Sequence, residues 1–463
     1  TCARARTNCL PGGHLLPAVL LSNYKKKVLG TYKGPSPDGP EPAMKRSHIP
    51  GPCGHGPSGF IAFHENSRPG PSGRFYALPH DNPPHFRYKP HVESFDVIII
   101  GGGISGLGVA RAATSAGYST LVLEANTCGD ATSNNTLRII HGGFRYLQNF
   151  DLPRVIKSLN DQSALLNEMP DAVKPLPCLM PLTRFGMKSR LPVTCANLLY
   201  GAMMKANRSP LPAPHIISAE RIHSTVKTLR TKAPFGALCW YDGVMTDPRA
   251  INKHLMAQIT SAGGTIREGA SAARIEGSNH TFTVHTHNGD TFNGRCVVNT
   301  LGPWLGAVTV PDGLAGERPR WCKGFNLVVK QQLDPTYGIG VQSADGRLFF
   351  CVPRGTGTAI GTWYIPHPDI SVAPTVSEHE IAQFLHAFNA SLPEAGITKH
   401  DIVHIDVGIL PMDRTSSAGP QLIAHERIHE RGGYIEVMST KYTTFRSQGE
   451  RVVRSIAQAF QPT

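Results

Sequence analysis

The run FDVIIIGGGISG, Phe95 to Gly106, constrains this chain more than any other feature. Phe95–Ile100 is a short apolar, β-branched run of the kind found in a strand buried on both faces. Glycines follow at once, and Gly101, Gly103 and Gly106 stand in GxGxxG spacing. The first permits a tight turn, the second lets backbone approach a pyrophosphate, and the third lets a helix pack closely on the strand. Ile104 to Ala116 then has helical spacing in Leu107, Val109, Ala110 and Ala113; Gly117 stops it, and Ser119 to Glu124 reads as a second parallel strand. Glu124 closes that strand at the distance where a carboxylate accepts ribose hydroxyls. The segment is expected to be a βαβ dinucleotide-binding unit whose helix N-terminus offers NH groups and partial positive charge to phosphate. The unit alone does not distinguish NAD from FAD.

Asp151 is expected to cap a helix running to about Met169, with Pro153 in its first turn. Residues 248–263 read as a helix, TFTVHTHNGDTFNG as a hairpin turning at Asn288-Gly289, and RCVVNTLG as another buried strand ending in a glycine turn. NLVVK and RLFFCVP read as strands, and Ser447 to about Phe460 as a final helix. No internal repeat is present.

The chain has 463 residues, enough for two or three domains, and a formal net charge of +13. Residues 1–90 carry 12 Lys+Arg against 4 Asp+Glu, so the remainder is only mildly basic, which argues against nucleic-acid binding. The same 90 residues hold 15 of the 38 prolines and lack apolar periodicity. They are expected to be a disordered or spurious N-terminal extension, with Met44 as a later start. The ten cysteines are scattered, without a CxxC pair or zinc-ligand spacing, so no metal site is expected and a reduced, cytoplasmic protein fits. No apolar run is long enough to span a membrane, leaving peripheral contact, for instance on an inner membrane, as the remaining option.

The segment after Glu124, ATSNNTLRIIHGGFRYLQ, resembles the corresponding stretch of FAD-dependent glycerol-3-phosphate dehydrogenases in the D-amino-acid-oxidase-like flavoprotein superfamily. The resemblance continues in order through PLPCLMPL, WYDGVMTDPR, VVNTLGPW, KGFNLVV, GRLFFCVP with IGT, and TKYTTFRSQGERVV, covering residues 94–460. It implies an α/β fold: a Rossmann-type FAD-binding domain (GR2/DAO-like) with an interleaved antiparallel-sheet substrate domain. The FAD-binding parts would be about 94–185, 240–310 and 400–460, and the substrate parts about 186–239 and 311–399. FAD would be lined by Gly101, Gly103, Ser105, Gly106, Glu124, Ala125, Thr132, Ser133, Arg138, Gly143, Gly302, Lys441 and Thr443.

The implied chemistry removes a hydride from a C–H beside a hydroxyl or amine while a base takes the heteroatom proton. Arg145 would hold an anionic part of the substrate, Lys441 would stabilise a developing oxyanion or the reduced flavin, and His141 is the candidate proton acceptor. A structural ion pair for Arg145, a solvated lysine and a cofactor-packing histidine are the bland alternatives. The acceptor of the electrons is open between a quinone, oxygen and another flavoprotein.

Two departures bear on the substrate. The family's GxRP stretch is GILP here, placing Leu410 where a phosphate-binding arginine is expected, and a second such arginine aligns with His425. An acidic position after IGT is aromatic (Trp363, Tyr364), which changes the expected pocket roof, and the family's GGK is STK, Ser439 to Lys441. A glycerol-3-phosphate-like polyol or a hydroxy acid is the expected substrate class. An amine or amino-acid oxidase, or a flavin-binding protein with a decayed substrate site, are the alternatives.

Overall fold

In the computed structural model of the chain, residues 92–371 and 373–460 are described; the expectations for residues 1–90 fall outside them. Strand β1 (Glu93–Ile100) ends in four consecutive buried residues, Val97 to Ile100, because parallel neighbours flank it, helices cover Val97 and Ile99 on one face, and Ile275, Phe282 and Val284 cover Ile98 and Ile100 on the other. It pairs in parallel with β2 (Thr120–Leu123) on one side and with Thr291–Asn299 on the other. Helix α1 (Ile104–Ser115) connects β1 to β2, and Gly117, at φ +87°, takes the left-handed turn after it. The first sheet continues through Tyr434–Met438 and Arg427–Arg431 at one edge and Thr265–Arg267 at the other. The predicted hairpin pairs Thr281–Thr286 with Thr291–Asn299, and its Phe282 and Val284 pack with Ile98, Ile100, Leu121 and Leu123.

On one face of this sheet, Leu107, Val109 and Ala110 of α1 pack with Ile251, Leu255 and Ile259 of helix Pro248–Ser261 and with Phe445, Val452 and Ile456 of the terminal helix, Phe445–Ala459. Each fully buried aliphatic or aromatic side chain of this kind contributes roughly 1.5–3 kcal/mol. Helix α2 (Leu152–Glu168) begins at Asp151, whose carboxylate accepts the Arg154 amide at 3.2 Å, with a proline in the first turn as expected.

The second sheet is mostly antiparallel and runs in the order Gly419–Leu422, Ile402–Ser416, Arg320–Val329, Gly357–Pro366, Leu348–Arg354, Gly338–Gln342, Val173–Pro181, Ala237–Met245 and Ile139–Ile140. This corrects the expected partition. Val173–Pro181, Ile402–Ser416 and most of Ala237–Met245, expected in the flavin-binding parts, hydrogen-bond into this second sheet. A buried apolar run specifies a strand without specifying which sheet it joins, because pairing is non-local. Side chains alternate across this sheet. Phe325, Phe349 and Trp363 turn to a core closed by Phe384 and Phe388 of helix Glu378–Ser391, whereas Gly324, Asn326, Thr362, Tyr364, Gly408 and Leu410 turn to a cavity.

No helix among the described residues is long and apolar enough to cross a membrane. The described cysteines are all free, and no group of three or more potential metal ligands occurs among the described residues.

Candidate active site

The turn after β1 is built for close approach. Gly101 lies at φ +99°, and Thr300 Oγ1 donates to the carbonyls of Ile100 at 2.9 Å and Gly101 at 2.8 Å, pinning the turn from the neighbouring strand. A Cβ on Gly103 would meet only Ser133 Oγ, at 3.4 Å, so its open side faces the cavity. The first amide of α1, Ile104 N, donates to Ser133 Oγ at 3.0 Å. Glu124 Oε2 accepts the Gly102 amide at 2.7 Å and Oε1 the Asn126 amide at 2.9 Å. An ionised carboxylate has about four lone-pair sites, so this one retains acceptor capacity for ribose hydroxyls.

These groups border a cavity of about 540 Å³ walled by both sheets. Its lining includes Gly101, Gly103, Ser105, Glu124, Ala125, Thr132, Ser133, Arg138, His141, Gly302, Lys441 and Thr443, all named from sequence. The two sheets meet across it at Thr132, whose Oγ1 accepts the Ile409 amide at 3.3 Å while Gly408 leaves room for its methyl group. Arg138 donates from Nη1 to the Thr246 carbonyl at 2.8 Å, and its buried Nε has no partner.

Three expected site residues do not line the cavity. Gly106 acts through packing, since a Cβ there would lie 1.9 Å from Gly101 O. Gly143, at φ +84°, starts the short 3₁₀ helix Phe144–Asn149. That helix carries Arg145, which is exposed; its charge counters the upward push of burial on the Tyr364 phenol and helps hold Lys441 below its ordinary value.

His141 lies on the cavity wall with its Nδ1 3.0 Å from the buried carboxylate of Asp242. Lys441 stands with Nζ 4.3 Å from the Tyr146 ring centroid, and Arg154 lies 4.0 Å from the same ring. Burial, and then the neighbouring Arg154, lower the Lys441 ammonium to about 7. Leu410 faces the cavity as expected of the missing arginine's position, but His425 does not line it and lies instead 4.0 Å from Asp151. Of the two aromatics expected at the roof only Tyr364 faces the cavity; Trp363 packs on Phe349, because neighbours in a strand point to opposite faces.

The sequence reading missed Asn326, Tyr146 and Asp242. An acidic residue inside the apolar strand sequence LCWYDGVM was a visible signal of a buried, partnered carboxylate. Asn326, inside NLVV, offered the same kind of signal.

A profile described as "FAD dependent oxidoreductase" matches residues 96–436, most of the chain. The chain belongs to this family. It is 27% identical over 383 residues to D-erythritol 1-phosphate dehydrogenase of Brucella abortus, covering 80% of this chain and 74% of that one. It is 27% identical over 386 residues to the aerobic glycerol-3-phosphate dehydrogenase of Escherichia coli, covering 80% and 75%. The glycerol-3-phosphate dehydrogenase of Bacillus halodurans, solved with FAD, superposes with a TM-score of 0.59 at 19% identity, over 80% of this chain and 66% of that one, and shows the shared fold. The protein is thus an FAD-dependent oxidoreductase with the DAO-like fold. The glycine turn, the acceptor capacity at Glu124 and the cavity between the sheets fit that cofactor.

Proposed function

We propose that this oxidoreductase takes a hydride from a small hydroxylated metabolite, a glycerol-3-phosphate-like polyol or a hydroxy acid. The observation that carries the reading is His141 and Lys441 on the wall of the same cavity as the glycine turn, with Arg145 close enough to influence Lys441. In it, Gly101, Gly103, Ser105 and Ser133 receive the pyrophosphate, Gly106 keeps α1 against β1, and Glu124 with Ala125 holds the ribose. Thr132, Arg138, Gly143, Gly302, Lys441 and Thr443 surround or support the isoalloxazine.

When bound, the flavin supplies a two-electron acceptor for hydride at N5. His141 takes the hydroxyl proton at its free ring nitrogen as the C–H bond breaks, so the alcohol becomes a carbonyl. Arg145 and the protonated form of Lys441 attract an anionic substituent of the substrate, and Lys441 also opposes charge developing on the oxygen. Leu410 offers no hydrogen bond on the opposite strand, so a phosphate gains fewer contacts than a site with an arginine there provides.

The test is anaerobic titration of the flavin absorbance with glycerol 3-phosphate, other polyols and their phosphates, hydroxy acids, and amino acids. Bleaching by a hydroxylated compound supports the reading. Bleaching by an amine with release of ammonia overturns it in favour of an amino-acid oxidase, and an intact flavin that nothing bleaches favours a decayed site.

Peripheral membrane contact is proposed on helix α3 (Arg190–Ala206) and the loop before it. Phe185 and Leu191 are each 76% exposed and Leu198 is 72% exposed, with Met187 and Leu199 beside them in sequence. No acidic residue occurs between Asp171 and Glu220, while Arg184, Lys188, Arg190, Lys205 and Arg208 do. An uncharged exposed stripe with a basic surround suits an anionic lipid surface. Cosedimentation with phosphatidylglycerol vesicles but not phosphatidylcholine vesicles, abolished by Leu191→Glu/Leu198→Glu, is expected; equal failure on both lipids overturns it.

A further inference from the structure

Behind His141, the strand Ala237–Met245 buries one carboxylate, Asp242, only 3% exposed. A charge so placed is costly unless each oxygen is hydrogen-bonded. Asp242 meets that condition. Oδ1 accepts the Gly142 amide at 2.8 Å and Gln162 Nε2 at 3.2 Å; Oδ2 accepts Trp240 Nε1 at 3.2 Å and faces His141 Nδ1 at 3.0 Å.

Three of these four partners are pure donors, so the site is built for an acceptor-only, ionised carboxylate. The fourth contact then needs a proton on His141 Nδ1. A neutral imidazole carries one proton, so Nε2 is left bare, and the ring lines the cavity. The ring's attachment is also held. The His141 amide donates to Thr443 Oγ1 at 3.1 Å, Gln162 Nε2 donates to the Ile140 carbonyl at 2.8 Å, and a Cβ on Gly142 would meet Tyr200 Oη at 2.3 Å. The other ionisable groups acting on Asp242, the Cys178 thiol and the Tyr200 phenol, are pushed up by burial and stay neutral. Lys441 and Arg138 are the cations that share the cavity wall.

We infer that Asp242 is a positioning residue that fixes His141 in the Nδ1–H tautomer and presents bare Nε2 to the substrate hydroxyl. It touches no reacting atom. Its carboxylate also faces the imidazolium that forms when Nε2 takes the hydroxyl proton, and so favours that transfer. This rests on His141 being the proton acceptor, but the tautomer itself is measurable without any substrate.

The experiment is ¹⁵N NMR of histidine-labelled, flavin-loaded full chain, with His141→Gln to assign the resonance. The wild type is expected to show Nδ1 protonated and Nε2 bare once the ring is neutral. In Asp242→Asn the remaining oxygen stays with the Gly142 and Gln162 donors, so the amide NH₂ turns to the ring. The tautomer is then expected to reverse, because the amide NH₂ donates where the carboxylate accepted. With a substrate that bleaches the flavin, kcat is expected to drop at least about 100-fold and KM to change little. A wild-type ring protonated on Nε2 overturns the inference even if the variant does not fold, as does an Asp242→Asn ring with unchanged tautomer. Failure of every substrate, with the tautomer as expected, overturns the proposed reaction and leaves the Asp242 assignment standing.

Discussion

A Cβ on Gly106 would stand 1.9 Å from the carbonyl oxygen of Gly101 and 2.7 Å from Thr300 Oγ1. Neither neighbour is a flexible side-chain end that could swing away, because Thr300 is itself bonded to the turn. Gly106→Ala is therefore expected to push α1 off β1, costing about 1–3 kcal/mol or more, and to yield protein that loses flavin. The ratio of flavin to protein absorbance after gel filtration checks this; a full flavin complement in the variant would contradict it.

Glu124 is tied to two backbone amides, so in its proposed ribose-binding role it is aimed before the cofactor binds. Glu124→Gln replaces one acceptor oxygen by a donor that faces an amide N–H or the ribose. A lost charge-assisted bond contributes roughly 1.5–3 kcal/mol, so FAD affinity is expected to fall about 10- to 100-fold. Quenching of FAD fluorescence on titration with apoprotein measures it.

Lys441 is the site's pH-sensitive cation. Its folded value, about 7, lies below the ordinary 10.5, so the charge is present below pH 7 and lost above it. KM for an anionic substrate is expected to rise as pH passes upward through 7, while an uncharged polyol shows no such rise. Lys441→Met is expected to remove the difference. Between pH 7 and 10.5 the unfolded chain binds the extra proton, so this group makes stability rise with pH across that window. Thermal melts of wild type and Lys441→Met at several pH values test the second effect.

Leu410 gives a gain-of-function test. It is half-buried on the cavity face opposite Cys322, and Leu410→Arg restores a fork of donors at that place. KM for glycerol 3-phosphate is expected to fall about 10- to 100-fold, from roughly 1.5–3 kcal/mol of new charge-assisted contact. An unchanged KM would mean that the phosphate lies elsewhere in the cavity. The unliganded variant is expected to melt earlier, since its guanidinium is then half-buried without a partner.

The β1–α1–β2 unit was legible almost to the residue because its signals are local: a β-branched run, spaced glycines and a closing acid within 30 residues. The Asp151 cap and the Asn288-Gly289 hairpin were legible for the same reason. Sheet membership was not, since Val173–Pro181 finds Ala237–Met245 and Gly338–Gln342 only after long loops close. Helix α3 was missed because its exposed side lacks the charges that normally mark a surface helix. Helix Glu378–Ser391 did carry a signal, the Ser377–Glu380 capping box before an apolar stripe. In the site, Glu124 and His141 followed from motifs, whereas Tyr364 and Asp242 depend on which face of a strand is turned inward. A register question of that kind has no answer in one strand read alone.

Gly108 and Gly449 let the terminal helix lie directly on α1: a Cβ on Gly449 would lie 2.2 Å from the Gly108 carbonyl oxygen. The loop from Ser439 to Thr443, which walls the cavity, runs directly into the helix that makes this contact. A ribosome must therefore release nearly all of these residues before the pocket has its last side. Flavin capture is then a late event in biosynthesis, and nascent chains arrested before residue 439 should emerge colourless however well their first βαβ unit has formed.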